Sequence, residues 1–219
     1  MNVHRALSDV AEMRAQLDRT ASYRGFRSLA TGFSSLAVLL GAIIQTVGAN
    51  APMMQIESYL SIWLGVAIAS SALAGFEMIV RGCLSNNRRV WITHRRLIGN
   101  LMPSLIVGCV LTLALANYAM EHTAAVKDSS LIWALPGTWA MIFGLGLFTC
   151  RHEMPRMANW VAMYYMVAGM VCLLINSQVG VTFNELFNQR TAWQMVLLFG
   201  LGQSFLGLVL YWNVERKHG

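Results

Sequence analysis

A carboxylate within an otherwise apolar stretch is the first candidate for chemistry in this sequence. Glu77 lies four residues before Arg81, an order and spacing that favours an ion pair on one face of a helix. A charge inside a membrane is costly and is therefore a candidate for proton coupling. Here the arginine would lie only about 6 Å along the helix axis, at the end of the apolar stretch. We therefore favour a structural ion pair over a proton-carrying carboxylate.

Two uncharged side chains, Gln203 and Trp139, could contribute to a ligand-binding cavity. Gln203 lies beside Gly202, deep in the last apolar stretch, and needs a partner inside a bundle. Trp139 follows Pro136 and Gly137, which permit a local kink in a membrane helix. A hydrogen bond from Gln203 to a neighbouring helix would be ordinary, and a hydrogen bond to a ligand is the alternative. Trp139 and Gln203, together with Glu77 and Arg81, are the candidate cavity or ion-pair positions.

Other amide side chains occur nearer the ends of the apolar stretches. Many of them lie where water can satisfy them; the set is Gln45, Asn100, Asn117, Asn159, Asn176 and Gln194. Small residues such as Gly144 and Gly202 remove side-chain bulk and predict surfaces where helices pack closely.

Metal and cofactor chemistry is poorly supported by the residues present. The five histidines fall in predicted loops or tails, so facing imidazoles could not hold a haem inside a bundle. His94 and His152, with Glu153 nearby, lack the spacing of a metal site. Methionines at helical spacing in the fifth apolar stretch are more typical of core packing than of copper binding. No Ser-His-Asp order, HExxH or phosphate loop occurs. We predict no metal, no cofactor and no catalytic residue.

Composition indicates that these residues belong to a membrane protein. Of the 219 residues, 56% are hydrophobic and 12% are charged, and that charged fraction is about half of what a soluble domain carries. Six apolar stretches approach or exceed the roughly 20 residues that cross a bilayer as a helix. They are Leu29–Gly48, Ser58–Val80, Ile98–Met120, Ser130–Thr149, Ala158–Val179 and Ala192–Trp212. The predicted fold is an all-α, polytopic membrane bundle of six transmembrane helices arranged as three hairpins.

The distribution of cations predicts the topology of this bundle. Of the 16 Lys and Arg residues, 14 fall on one side of the predicted spans, and only Lys127 and Arg190 fall on the other. The positive-inside rule then places both termini in the cytoplasm. The net charge of +6 is mainly a topology signal, with some attraction to anionic lipid headgroups. We predict no nucleic-acid binding, because no basic run is interleaved with aromatic residues.

The chain divides into three predicted parts. Residues 1–27 have apolar residues at three- and four-residue steps and predict a cytoplasmic amphipathic helix, either an interfacial anchor or a docking arm. Residues 28–213 form the six-span domain, and residues 214–219 a cytoplasmic tail. Short sequence likenesses, such as FGLG at 143–146 and 199–202, leave a repeat of the hairpins open.

Five short segments carry a family resemblance: YRGFRS before the first span, LPGTW and MPR around the fourth, WVAMYY in the fifth and FGLGQ in the sixth. Together they resemble an uncharacterised group of small bacterial inner-membrane proteins. The resemblance implies a six-helix protein of the bacterial inner membrane, and it implies no activity, cofactor or site residue.

Three function classes remain after these exclusions. The favoured class is a non-enzymatic membrane protein that acts as a sensor, an accessory subunit or a scaffold. The alternative is a channel or facilitator for a small neutral or apolar solute, and the third is a membrane enzyme of quinone or lipid chemistry. Expected partners are membrane lipids and a cytoplasmic or membrane protein, with a homo-oligomer as an open alternative.

Overall fold

The computed structural model describes residues 28–48, 56–85, 88–121, 131–179 and 189–212, together with Val10. The rest of the predicted amphipathic helix at 1–27, and the predicted tail at 214–219, lie outside the described residues.

All regular elements in the described ranges are helical. They are α1 (Ser28–Gly48), α2 (Ile56–Ser85), α3 (Arg88–Glu121), a 3₁₀-helix (Leu131–Ala134), α4 (Leu135–Thr149), α5 (Ala158–Val179), α6 (Gln189–Met195), a π-helical turn (Val196–Gly200) and α7 (Leu201–Leu210). The last three follow one another without a break, and we call them together the C-terminal helix.

The helices have the length and composition of membrane spans. Five of them are long and apolar enough to cross a membrane: α1, α2, α3, α5 and the C-terminal helix. α4 is also apolar but has only 15 residues. The described chain is therefore an all-helical bundle of the kind embedded in membranes.

α3 extends well beyond the apolar span predicted for it. Its apolar part was expected from Ile98, whereas the helix starts at Arg88 and has 34 residues. The preceding residues, RRVWITHRRL, contain neither glycine nor proline, so nothing in them ends the helix. At 1.5 Å per residue α3 is about 51 Å long, well beyond the roughly 30 Å of a bilayer's hydrocarbon core.

The packing does not confirm the predicted grouping into three hairpins. α1 packs against α2 and α3 against α4, but the most extensive contact joins α4 to α5. α1 also packs along the C-terminal helix, so the first and last helices are neighbours. α2 and α3 are peripheral, since only 11% of each apolar window is buried, against 44% for α1 and for the C-terminal helix.

Glycines explain why α4 and α5 approach so closely. A Cβ added at Gly137 would lie 2.7 Å from the carbonyl oxygen of Gly169, and one added at Gly169 would lie 2.6 Å from that of Gly137. The two backbones are therefore in direct contact, which small residues permit in membrane helices. Near the other end of α4, a Cβ at Gly144 would lie 3.0 Å from the Ala162 carbonyl oxygen. The close-packing surface predicted for Gly144 is confirmed.

Candidate functional site

The predicted ion pair on α2 is described only in part. Glu77 is half-buried. The side chain of Arg81 is outside what the structure describes, so their pairing stays a prediction.

Trp139 and Gln203, the two candidate cavity residues, lie on α4 and α7 and differ in their hydrogen bonding. The indole Nε1 of Trp139 donates to Thr112 Oγ1 on α3, at 2.7 Å, which links two helices near the start of α4. Gln203 is half-buried on α7, and no hydrogen bond joins it to another described side chain. The Asn176 amide contacts both the Trp133 carbonyl oxygen and Gln194, and Trp139 and Gln203 follow these two residues by six and nine positions. A cavity shared by this pair stays a prediction.

The first buried polar link is centred on Gln45, which has no exposed surface. Its Oε1 accepts a hydrogen bond from Trp63 Nε1 on α2 at 2.8 Å, and its Nε2 donates to Thr191 Oγ1 on α6 at 2.9 Å. One amide thus ties three helices together. The expectation that water satisfies Gln45 is wrong, because Trp63 and Thr191 make the hydrogen bonds that water was expected to make.

The second link is a reciprocal pair of amides at the same end of the bundle. Gln194 Nε2 donates to Asn176 Oδ1 at 2.8 Å, and Asn176 Nδ2 donates to Gln194 Oε1 at 3.3 Å. The same Nδ2 lies 3.1 Å from the Trp133 carbonyl oxygen of the 3₁₀-helix. Asn176 is almost fully buried. The pair joins α5 to α6 and to the chain that enters α4, so these amides also have protein partners instead of the expected water.

The π turn Val196–Gly200 is held by side chains from two other helices. The Tyr164 hydroxyl on α5 donates to the Leu197 carbonyl oxygen. On the opposite side, Ser35 Oγ of α1 donates to the Gly200 carbonyl oxygen at 3.1 Å and lies 2.8 Å from Ser204 Oγ. A π turn widens the helix and lets side chains reach backbone carbonyls, and such turns are frequent at functional sites. Nothing in the sequence indicates this turn beyond the glycine at its end.

Tyr165 is the centre of the packing between α4, α5 and the C-terminal helix. It is fully buried, and its ring meets Phe143 edge-on at 4.9 Å and Phe199 at 5.7 Å between centroids. Its hydroxyl has no hydrogen-bond partner among the described residues. A Cβ at Gly202 would overlap the phenol ring and lie 2.5 Å from the hydroxyl oxygen. The space between α5 and α7 is therefore filled by one aromatic side chain.

The turn between α4 and α5 is bound to α3. Thr149 Oγ1 donates to the Asn100 carbonyl oxygen at 3.0 Å, and the Cys150 thiol lies 3.8 Å from the Leu97 carbonyl oxygen. Burial raises the pKa of the Cys150 thiol, and the Glu153 carboxylate adds to the rise. Within the described ranges, no three His, Cys, Asp or Glu side chains group as metal ligands.

These groups connect helices. Each polar link joins two or three elements through uncharged amides, hydroxyls and carbonyls, the groups that hold membrane helices together. Sequence reasoning noticed Gln45, Asn176 and Gln194 but missed their pairing. The only signal was that each lies on an apolar helix whose neighbours offer hydrogen-bonding groups at the same end.

No protein-family model, no curated protein and no solved structure matches this chain.

Proposed function

We propose that the protein is a non-enzymatic membrane protein that acts as a sensor, accessory subunit or scaffold. In this role the bundle is a rigid support that presents its surfaces to partners, and it does not enclose a path for a solute.

The packing around Tyr165 carries this proposal. A facilitator needs a polar cavity along the bundle, whereas here a fully buried phenol ring lies between Phe143, Phe199 and Gly202. The backbone contact between Gly137 and Gly169 closes the neighbouring α4–α5 interface. The buried amides are occupied by each other or by Trp63 and Thr191, so they are not available to a solute.

We further propose six spans with both termini in the cytoplasm. The 3₁₀-helix and α4 together run over residues 131–149, which corresponds to about 30 Å at the rises of the two helix types, enough to cross the hydrocarbon core. Many α4 residues are buried in the bundle, so this shorter helix is largely shielded from lipid. The basic segments then share one side, which the positive-inside rule assigns to the cytoplasm. Placement in a bacterial inner membrane rests on the resemblance through YRGFRS, LPGTW, MPR, WVAMYY and FGLGQ.

The alternative function, a facilitator for a small neutral solute, has one observation in its favour. Gln203 is half-buried and makes no hydrogen bond to another described side chain, as a solute-binding amide would before its ligand arrives.

Permeability of proteoliposomes separates the two functions. We expect stopped-flow light scattering with glycerol and with urea to give the same rates as protein-free liposomes. Solute passage faster than in protein-free liposomes, lost in a Gln203→Leu variant that still folds, would show that the protein is a facilitator and not a scaffold.

A second experiment tests the scaffold directly. Deleting residues 1–22 should lower the mass of the native complex on blue-native electrophoresis of membranes, because the predicted amphipathic arm would hold the partner. Removing residues 214–219 is the matched control and should leave the mass unchanged. Unchanged mass after the first deletion would contradict a role for the arm.

A further inference from the structure

The described arginines are concentrated at one end of the bundle. We infer that four of them bind the phosphate groups of anionic phospholipids. These four are Arg95 and Arg96 on α3 and Arg151 and Arg156 in the α4–α5 turn, and we call them the basic platform. All four side chains are exposed. The inference does not depend on the scaffold function, and it holds for either leaflet.

Hydrogen bonds bring the two halves of the platform to the same level. Thr149 and Cys150, which directly precede Arg151, contact the carbonyl oxygens of Asn100 and Leu97. Arg96 lies one residue before Leu97, so both pairs of arginines flank the same contact between α3 and the turn.

The spacing of exposed aromatic residues supports placing this level at the lipid headgroups. On the C-terminal helix, Trp193 and Tyr211 are both about half exposed. They are 18 residues apart, roughly 27 Å, which matches the hydrocarbon thickness between two aromatic belts. On α3, the same thickness measured from the exposed Tyr118 ends near Asn100. Arg95 and Arg96 therefore lie just beyond the hydrocarbon, at the depth of lipid phosphates.

The arginines of the basic platform face solvent more openly than the one described carboxylate near them, which favours the binding of an anion. Glu153 is the acidic residue in the turn; it is half-buried, and one of its carboxylate oxygens has no contact with solvent. The guanidinium of Arg151 lies 5.5 Å from the Phe148 ring centroid, which places it above an apolar surface at the membrane boundary. Arg190 is also exposed, but it lies at the opposite end of the bundle, where no other described arginine lies.

Native mass spectrometry of the full-length protein in mild detergent tests this inference. Phosphatidylglycerol and phosphatidylcholine with identical acyl chains are titrated separately, and the ratio of their dissociation constants is the lipid preference. We expect a preference for phosphatidylglycerol. Arg95→Gln, Arg96→Gln and Arg151→Gln together should reduce the preference by about fivefold or more, the gain that one arginine contributes near an anionic surface.

Three controls decide between the outcomes. Arg190→Gln should leave the preference unchanged, and an equal loss there would mean that general charge, not the platform, attracts the lipid. Substitution of the same three arginines by lysine should retain most of the preference, which also controls for a glutamine variant that fails to fold. Millimolar inorganic phosphate should not displace the lipid; displacement would assign the platform to free phosphate. An unchanged preference in the folded glutamine variant would overturn the inference.

Discussion

The phenol ring of Tyr165 on α5 occupies the space that a Cβ would need at Gly202 on α7. We therefore expect Gly202→Ala to destabilise the bundle by about 1–3 kcal/mol, since the ring is buried on all sides and cannot move away. Gly200→Ala is the matched control: the nearest atom to its added Cβ is 3.5 Å away, so its effect should be small. Thermal unfolding in detergent measures both. Equal effects for the two variants would show that the ring has room to yield.

Gln45 should be the most important amide for stability. Gln45→Leu removes two hydrogen bonds and leaves the Trp63 N–H without its acceptor, so we expect a loss of about 1–3 kcal/mol. Gln203→Leu removes no hydrogen bond to a described residue and should change stability by about 0.5 kcal/mol or less. The free energy of unfolding, measured by titration with a denaturing detergent, checks the order. A larger effect at Gln203 would point to a partner outside the described residues.

Substitution of Glu77 distinguishes a structural role of its carboxylate from a functional one. If Glu77 pairs with Arg81, Glu77→Gln should lower the free energy of unfolding by about 1 kcal/mol or less and leave any solute flux unchanged. Loss of a measured flux in a variant that folds normally would make Glu77 a proton-coupling carboxylate.

Cysteine alkylation should separate exposed from buried thiols. Cys83 is exposed and Cys150 is buried, so maleimide should label Cys83 first in detergent. Because burial raises the pKa of the Cys150 thiol, less of it is thiolate at a given pH than for an ordinary cysteine. Its labelling rate should therefore keep rising as the pH is raised above about 8.5, the pKa of a free thiol. Mass spectrometry of peptides, with Cys150→Ala as the control, gives the rates; fast labelling of Cys150 at neutral pH would contradict its burial.

The orientation can be tested with single cysteines introduced at the two ends. Ser85→Cys and His152→Cys should react with an impermeant reagent from the cytoplasmic side, and Met53→Cys and Lys127→Cys from the other. Labelling of Lys127→Cys from the cytoplasm alone would reverse the proposed topology.

Local sequence properties predicted the helices well and their partners poorly. Five spans followed from apolar length, which is a property of each segment alone. The apolar span predicted from Ile98 did not reveal that α3 begins ten residues earlier, at Arg88, because charge ends an apolar stretch but does not end a helix. Gln45 was assigned to water because Thr191, its partner, is 146 residues away in the chain. Gly144 was recognised because packing between α4 and α5, which are joined by a short turn, depends on local small residues.

The links between α1 and the C-terminal helix also constrain how the chain can be made. Trp63 reaches the membrane soon after Gln45, so the acceptor side of that amide is satisfied early in synthesis. Its donor side has no acceptor until Thr191 is synthesised. The contact of Ser35 likewise forms only after Gly200, which lies 165 residues later in the chain. A nascent or truncated chain that lacks Thr191 therefore lacks the protein acceptor of this amide donor. Completion of the last helix supplies Thr191 and gives that donor its acceptor.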